Sequence, residues 1–146
     1  MFSKILVPVD IDYPKTAALV YQKALEIARS QTTEAQIKLV CVMPGYSMPL
    51  VASFISDEMV KKAKEQLRET LEGFIAENCR ETVTYAIKTG KNWEEIVKVA
   101  DKWGADLIVV YHNRRREENE VFSNSCSERV MENANCSVLR LRNLRA

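Results

Sequence analysis

Lys4-Ile5-Leu6-Val7-Pro8-Val9-Asp10-Ile11-Asp12-Tyr13-Pro14 decides how the rest of the chain is read. The run from Lys4 to Val9 is compact, apolar and rich in β-branched residues. That is the composition of a strand covered on both faces. Asp10 to Pro14 is a turn, and 15–30 follows as an amphipathic helix carrying Ala18, Leu19, Tyr21, Ala24, Leu25 and Ala28. A strand, a turn and a helix in that order announce a βα unit.

The unit recurs along the chain. Ile37 to Met43 is a second strand, stopped by Pro44-Gly45. Residues 44–56 form a long loop with apolar content, of the kind that covers a pocket or packs on a partner. Asp57-Glu58 opens a long helix whose inner face carries Met59, Ala63, Leu67, Leu71 and Phe74. Val83 to Ile87 is a third strand. Asn92 caps the next helix, which packs through Ile96, Val97, Val99, Ala100 and Trp103 and stops at Gly104. Ala105 to Tyr111 is the most apolar strand. A polar connector over 112–123, a helix to about Ala134 and a fifth strand from Ser137 to Leu141 complete the chain. Strands alternating with helices imply an α/β fold, a doubly wound open parallel sheet with helices on both faces. In such sheets ligands sit beyond the carboxyl ends of the strands, where the winding reverses. The residues in question are therefore Asp10 to Tyr13, Met43 to Tyr46, and His112 onward.

Composition narrows the function classes. The chain of 146 residues is the length of one domain, here 1–146, and at 47% hydrophobic it can build a real core. Lys and Arg number 21 against 20 Asp and Glu, a net charge of +1, so no global field recruits nucleic acid or an anionic membrane. The 4 cysteines form no CxxC pair, and with a single histidine, His112, a Cys/His zinc site is not expected. The apolar run Ile5 to Val9 is too short for a signal peptide or a membrane span. Reduced cysteines and a cytoplasmic location are the expectation. Only 4 glycines occur where average usage of about 7% gives roughly ten. A glycine-rich phosphate cradle is absent.

Several segments, taken in order, resemble the universal stress proteins. Lys4 to Asp10 is similar to their opening strand. Gly90 with Glu95-Ile96-Val97, then Ala105 to Val110, is similar to their third helix and fourth strand. Ser125-Cys126-Ser127-Glu128-Arg129-Val130, then Cys136 to Leu139, is similar to their last helix and strand. The resemblance covers essentially the whole chain. It implies strand order 3-2-1-4-5 and a homodimer, paired through the fifth strand at 137–142. It implies a cytoplasmic stress-response regulator with a pocket for ATP or another adenine nucleotide, not an enzyme. No metal is implied beyond a nucleotide-bound Mg²⁺. The adenine and ribose would lie against Pro8, Val9, Asp10 and Val42. The phosphate loop of the family is patterned Gly-x2-Gly-x9-Gly-(Ser/Thr). Its positions fall here on His112, Arg115 and Asn124-Ser125, in a loop about a residue shorter, and all three glycines are missing. Glycine lets backbone N–H groups approach phosphate without a Cβ in the way. In its place, forked donors from Arg114, Arg115 and Arg116 and the helix end at Ser125, Cys126 and Ser127 would grip the phosphates.

Each of these residues also has an ordinary structural role. Asp10 ends a strand and begins a turn, as Asp commonly does. Ser125-x-x-Glu128 has the spacing of a capping box. The arginines precede Glu117, Glu118 and Glu120, a mixed run that neutralises itself in solvent. His112 has no second ligand or anchored nucleophile beside it. Cys126 near a helix N-terminus is either a lowered-pKa redox thiol or a small packing residue. A dimeric interaction module without nucleotide is the alternative function. A slow ATPase and a Cys126 redox sensor rank below it.

Overall fold

The computed structural model describes residues 1–44, 56–112 and 124–142. The loop expected at 44–56, and Arg114, Arg115 and Arg116, fall largely or wholly outside the described residues. The elements are β1 (Lys4–Pro8), α1 (Pro14–Arg29), β2 (Gln36–Pro44), α2 (Asp57–Asn78), β3 (Thr84–Gly90), α3 (Asn92–Trp103), β4 (Leu107–Tyr111), α4 (Asn124–Asn133) and β5 (Ser137–Leu141). The strands form one parallel sheet in the order β3-β2-β1-β4-β5.

Alternation along the central strand sorts the two cores. Ile5, Val7 and Val9 face α1 and α2, joining Tyr21, Ala24, Leu71 and Phe74. Leu6 faces the other way, joining Ile96 and Val99 of α3 and Cys126 and Val130 of α4. β1 is covered on both sides, as its apolar run requires.

Pro8 shapes the edge where the sheet reverses. The N–H of Val9 donates to Val40 O of β2 (2.9 Å), so the position before it faces β4. Proline has no N–H to give there. The β1–β4 ladder runs through Ile5↔Leu107 and Leu6↔Ile108, whereas β1–β2 pairing continues to Pro8↔Val40. The two central strands part at their carboxyl ends.

Three local expectations are corrected. Asn92 is not the cap of α3 but its first residue. Lys91 holds the cap position, and Asn92 Oδ1 accepts from the N–H of Trp93 (2.7 Å). Helix α4 begins at Asn124, so Ser125 stands inside its first turn, not at its cap. Met59 is 56% exposed, although it shares a helical stripe with buried Leu71 and Phe74. The cause is length. The 22 residues of α2 span roughly 33 Å, against roughly 23 Å for the 7 of β3. The first turns of α2 therefore overhang the carboxyl edge of the sheet. Ser56 starts the helix by accepting the N–H of Met59 on its hydroxyl (3.2 Å), and Asp57 and Glu58 suit the positive end of its dipole. Gly104 closes α3 in the left-handed region (φ +78°), as expected.

Candidate functional site

At the carboxyl ends of β1 and β2 an open cavity of about 300 Å³ lies beneath the overhang of α2. Its floor comes from Asp10, Ile11 and Asp12 after β1 and from Cys41, Val42 and Met43 of β2. Its roof comes from Ala63, Gln66, Leu67 and Thr70 of α2. The volume stands at the lower end of the range of about 300–1,000 Å³ for small-molecule sites.

Asp10 is held by the turn it starts. Its Oδ1 accepts the N–H of Asp12 (3.0 Å), and its carbonyl accepts the N–H of Tyr13 (3.1 Å). This is an Asx turn. Pro14 then opens α1 at its first position, where the fixed φ suits a helix and no N–H is needed. The turn and the helix start together fix the carboxylate at the cavity's rim. Cys41 lies behind it. Burial pushes the Cys41 thiol up to about 12, and the charge of Asp10 adds to the effect, so it stays protonated at neutral pH. Val42 packs its side chain into the α3–α4 core while bordering the cavity.

The remaining expected residues are placed as follows. Pro8 and Val9 lead directly into the cavity floor, and Val9 is fully buried. His112 follows β4, and its N–H donates to Leu141 O (2.8 Å), tying the strand end to β5. Cys126 and Ser127 are buried in the first turn of α4, so only their backbones could meet a ligand at the helix end. Burial alone pushes the Cys126 thiol up to about 12, which opposes the redox alternative. Asn124 and Ser125 open the same turn. The start of α4 and the cavity share the carboxyl edge of the sheet. Arg114 and Arg115 lie outside the described residues.

Sequence reasoning missed the roof. Gln66 and Thr70 stand four residues apart, flanking the stripe of Ala63 and Leu67 that reads as core. Two polar residues bordering that stripe were the available signal.

The lining of the cavity is mainly apolar, and its polar groups include two carboxylates. Asp10 and Asp12 supply carboxylates, and no basic residue is among the described residues that line it. Such a lining repels phosphate and suits donors: hydroxyls and amines. The nucleoside half of a nucleotide fits that set, and its phosphates would have to leave toward α4. Among the described residues, no group of three or more His, Cys, Asp or Glu side chains could hold a metal ion. No helix among them is long and apolar enough to cross a membrane.

An open parallel α/β sheet in the order 3-2-1-4-5, with a cavity at its switch edge, defines the class of doubly wound α/β domains. Within that class the family model for the universal stress protein family matches residues 1–142. The chain belongs to that family. It is 30% identical over 143 residues to universal stress protein MJ0531 of Methanocaldococcus jannaschii, covering 95% of this chain and 81% of the relative. Among solved structures, protein MJ0577 superposes with a TM-score of 0.72 at 25% identity, covering 100% of this chain and 99% of that one. Two more distant structures share the fold. One is a universal stress protein in complex with cAMP (18% identity, TM-score 0.59, 96% of each chain). The other is the Archaeoglobus fulgidus protein in complex with dAMP (22%, TM-score 0.54, 94% of this chain and 96% of that one).

Proposed function

We propose that this protein is an adenine-nucleotide-binding regulator of stress responses. It holds the nucleoside in the cavity between Asp10, Val42 and α2, and it signals through its bound state rather than by turnover. The observation that carries the proposal is the cavity itself. It lies at the switch edge, is lined by apolar residues with the carboxylates of Asp10 and Asp12 among them, and has Asp10 fixed at its rim by the Asx turn. Asp10 accepts from the ribose hydroxyls, and the base enters beside Val42. The cAMP and dAMP complexes of family members support an adenine ligand. Both ligands carry a single phosphate, which suits a chain lacking glycine at His112, Arg115 and Asn124. ATP remains a ligand only if Arg114, Arg115 and Arg116 take up the charge that backbone donors would otherwise hold. Mg²⁺ would come with such a nucleotide.

The protein works in the cytoplasm as a homodimer. β5 is one of the two edge strands, Leu139 is 37% exposed on it, and Arg140 and Arg142 alternate along its end. A symmetric antiparallel pair buries Leu139 and leaves the arginines at the rim. The missing glycines favour a second reading, a dimeric interaction module that binds no nucleotide.

Acid release of small molecules from the purified protein, followed by titration with AMP and ATP, separates the two. Released adenine nucleotide, or an affinity tighter than millimolar, is expected. Neither being found refutes nucleotide binding and leaves the interaction module.

A further inference from the structure

The amino edge of the sheet carries a second concavity, at the opposite end of the strands from Asp10. A cavity of about 440 Å³ opens between the last turns of α1 and α2, and its walls include Arg29, Glu77, Arg80 and Glu81. Two of these charges already answer each other. Glu81 accepts the hydroxyl of fully buried Tyr21 (2.9 Å) and pairs with the Arg29 guanidinium. The Tyr21 hydroxyl, helped by Arg29, holds Glu81 below the usual carboxylate range, so it is ionised at neutral pH. Arg29 gives one of its five N–H groups to that pair. The side chains of Glu77 and Arg80 make no ion pair or hydrogen bond among the described residues. Glu77 also stands in the last turn of α2, where no basic residue sits, so its charge adds to the negative end of the helix dipole. An anion in need of a cation and a cation in need of an anion therefore line the same cavity.

We propose that this cavity binds a small zwitterion, an aliphatic α-amino acid. Arg29 and Arg80 balance Glu77 and Glu81, so neither a plain anion nor a plain cation gains from the cavity's field. A ligand with both charges gains at each end. Its ammonium meets Glu77 and the carbonyl end of α2. Its carboxylate meets Arg80 and the N–H groups that Arg29 does not give to Glu81, donors whose fork matches a carboxylate. The aliphatic side chain follows from the adjoining space. A cavity of about 340 Å³ shares Leu25 and Glu81 with the first, and Ala35, Ile37 and Val83 are among its walls. Glu34 lines it too, which disfavours an acidic side chain there. The site is separate from the Asp10 cavity and does not depend on the nucleotide reading.

The test titrates the full isotope-labelled chain with L-leucine, with N-acetyl-leucine, which lacks the ammonium, and with leucine amide, which lacks the carboxylate. Backbone amide shifts read by NMR give both the place of contact and the affinity. Leucine should move the signals of Arg29, Glu81 and Val83 and leave those of Asp10 and Val42 in place. Each blocked probe should bind at least about fivefold more weakly, the upper range for an exposed ion pair. Glu77→Gln should weaken leucine by a similar factor and leave acetyl-leucine unchanged. Arg80→Gln should weaken leucine and leave leucine amide unchanged. Both residues are exposed, and circular dichroism melts confirm that the variants fold. No shift at the amino edge with leucine at about 10 mM overturns the inference. So do blocked probes that bind as tightly as leucine, or an affinity that neither substitution lowers.

Discussion

Asp106 is the residue whose removal most sharply tests how the site is held. It stands just before β4, and its carboxylate grips the start of β1. Oδ2 accepts the N–H of Ser3 (2.7 Å) and the hydroxyl of Ser3 (2.9 Å), and Oδ1 accepts the N–H of Lys4 (2.9 Å). In return the N–H of Asp106 donates to Lys4 O (3.0 Å). The clamp aligns the two strands whose far ends part around the switch point. Asp106→Ala removes a charged acceptor from two backbone donors. Bonds of this kind contribute about 1.5–3 kcal/mol each when sheltered. Here water can replace the carboxylate at the more exposed Ser3, so the expected loss is about 1–2 kcal/mol. For a chain of 146 residues that lowers Tm by roughly 3–8 °C. Asp106→Asn keeps the shape but turns an amide toward one donor, so it should cost about half as much. Partial burial would raise the Asp106 pKa, but the N–H groups of Ser3 and Lys4 and the Ser3 hydroxyl outweigh it and hold it below the usual carboxylate range. A depressed folded pKa stabilises above the unfolded value of about 3.9, and that stability is lost as pH falls through the folded value. Urea unfolding at pH 7, 5 and 3 should therefore show a gap between wild type and Asp106→Asn at the first two and a narrower one at the third. An alanine variant within about 0.3 kcal/mol of wild type at pH 7, or a gap that ignores pH, would refute the clamp.

Two further outcomes follow from the same geometry. Gly90 ends β3 at φ +147°, and a Cβ there would stand 2.9 Å from Glu95 Oε1. Glu95 can swing aside, so the cost of Gly90→Ala is mainly backbone strain of about 1–3 kcal/mol, read by urea denaturation. Adding Glu95→Ala should recover less than half of it, and full recovery would show the cost to be steric. Burial holds Cys41 and Cys126 as thiols, each pushed up to about 12, so iodoacetamide at pH 8 should label half-buried Cys79 and Cys136 first. Peptide mass spectrometry reads the order, and Cys126 labelled as fast as Cys136 contradicts it.

Much of this was legible from residue pattern. The run Lys4–Val9 specified a central strand because β-branched residues buried on both sides leave few other solutions. Its Asp10-to-Pro14 turn carried the one site residue whose environment the structure details most fully. The strand order came with the family resemblance, since periodicity alone does not say which strands are neighbours. The α2 wall of the cavity was not legible. Met59, Ala63 and Leu67 share the spacing of Leu71 and Phe74, and nothing in that spacing reveals that the helix outruns the sheet. Overhang is a property of relative element length: Met59 stands exposed, and Ala63 and Leu67 border the cavity. Similarly, Ser125 with Glu128 has capping-box spacing, but the helix begins one residue earlier, at Asn124. At Asn92 the side chain accepts the next N–H from inside the helix rather than from its cap.

The most direct measurement of the central claim is a crystal structure of the chain grown with saturating AMP. The account predicts density for the base inside the cavity between Asp10, Val42 and α2, with ribose hydroxyls within hydrogen-bond distance of the Asp10 carboxylate. A nucleotide bound elsewhere, with that cavity holding only solvent, would contradict it.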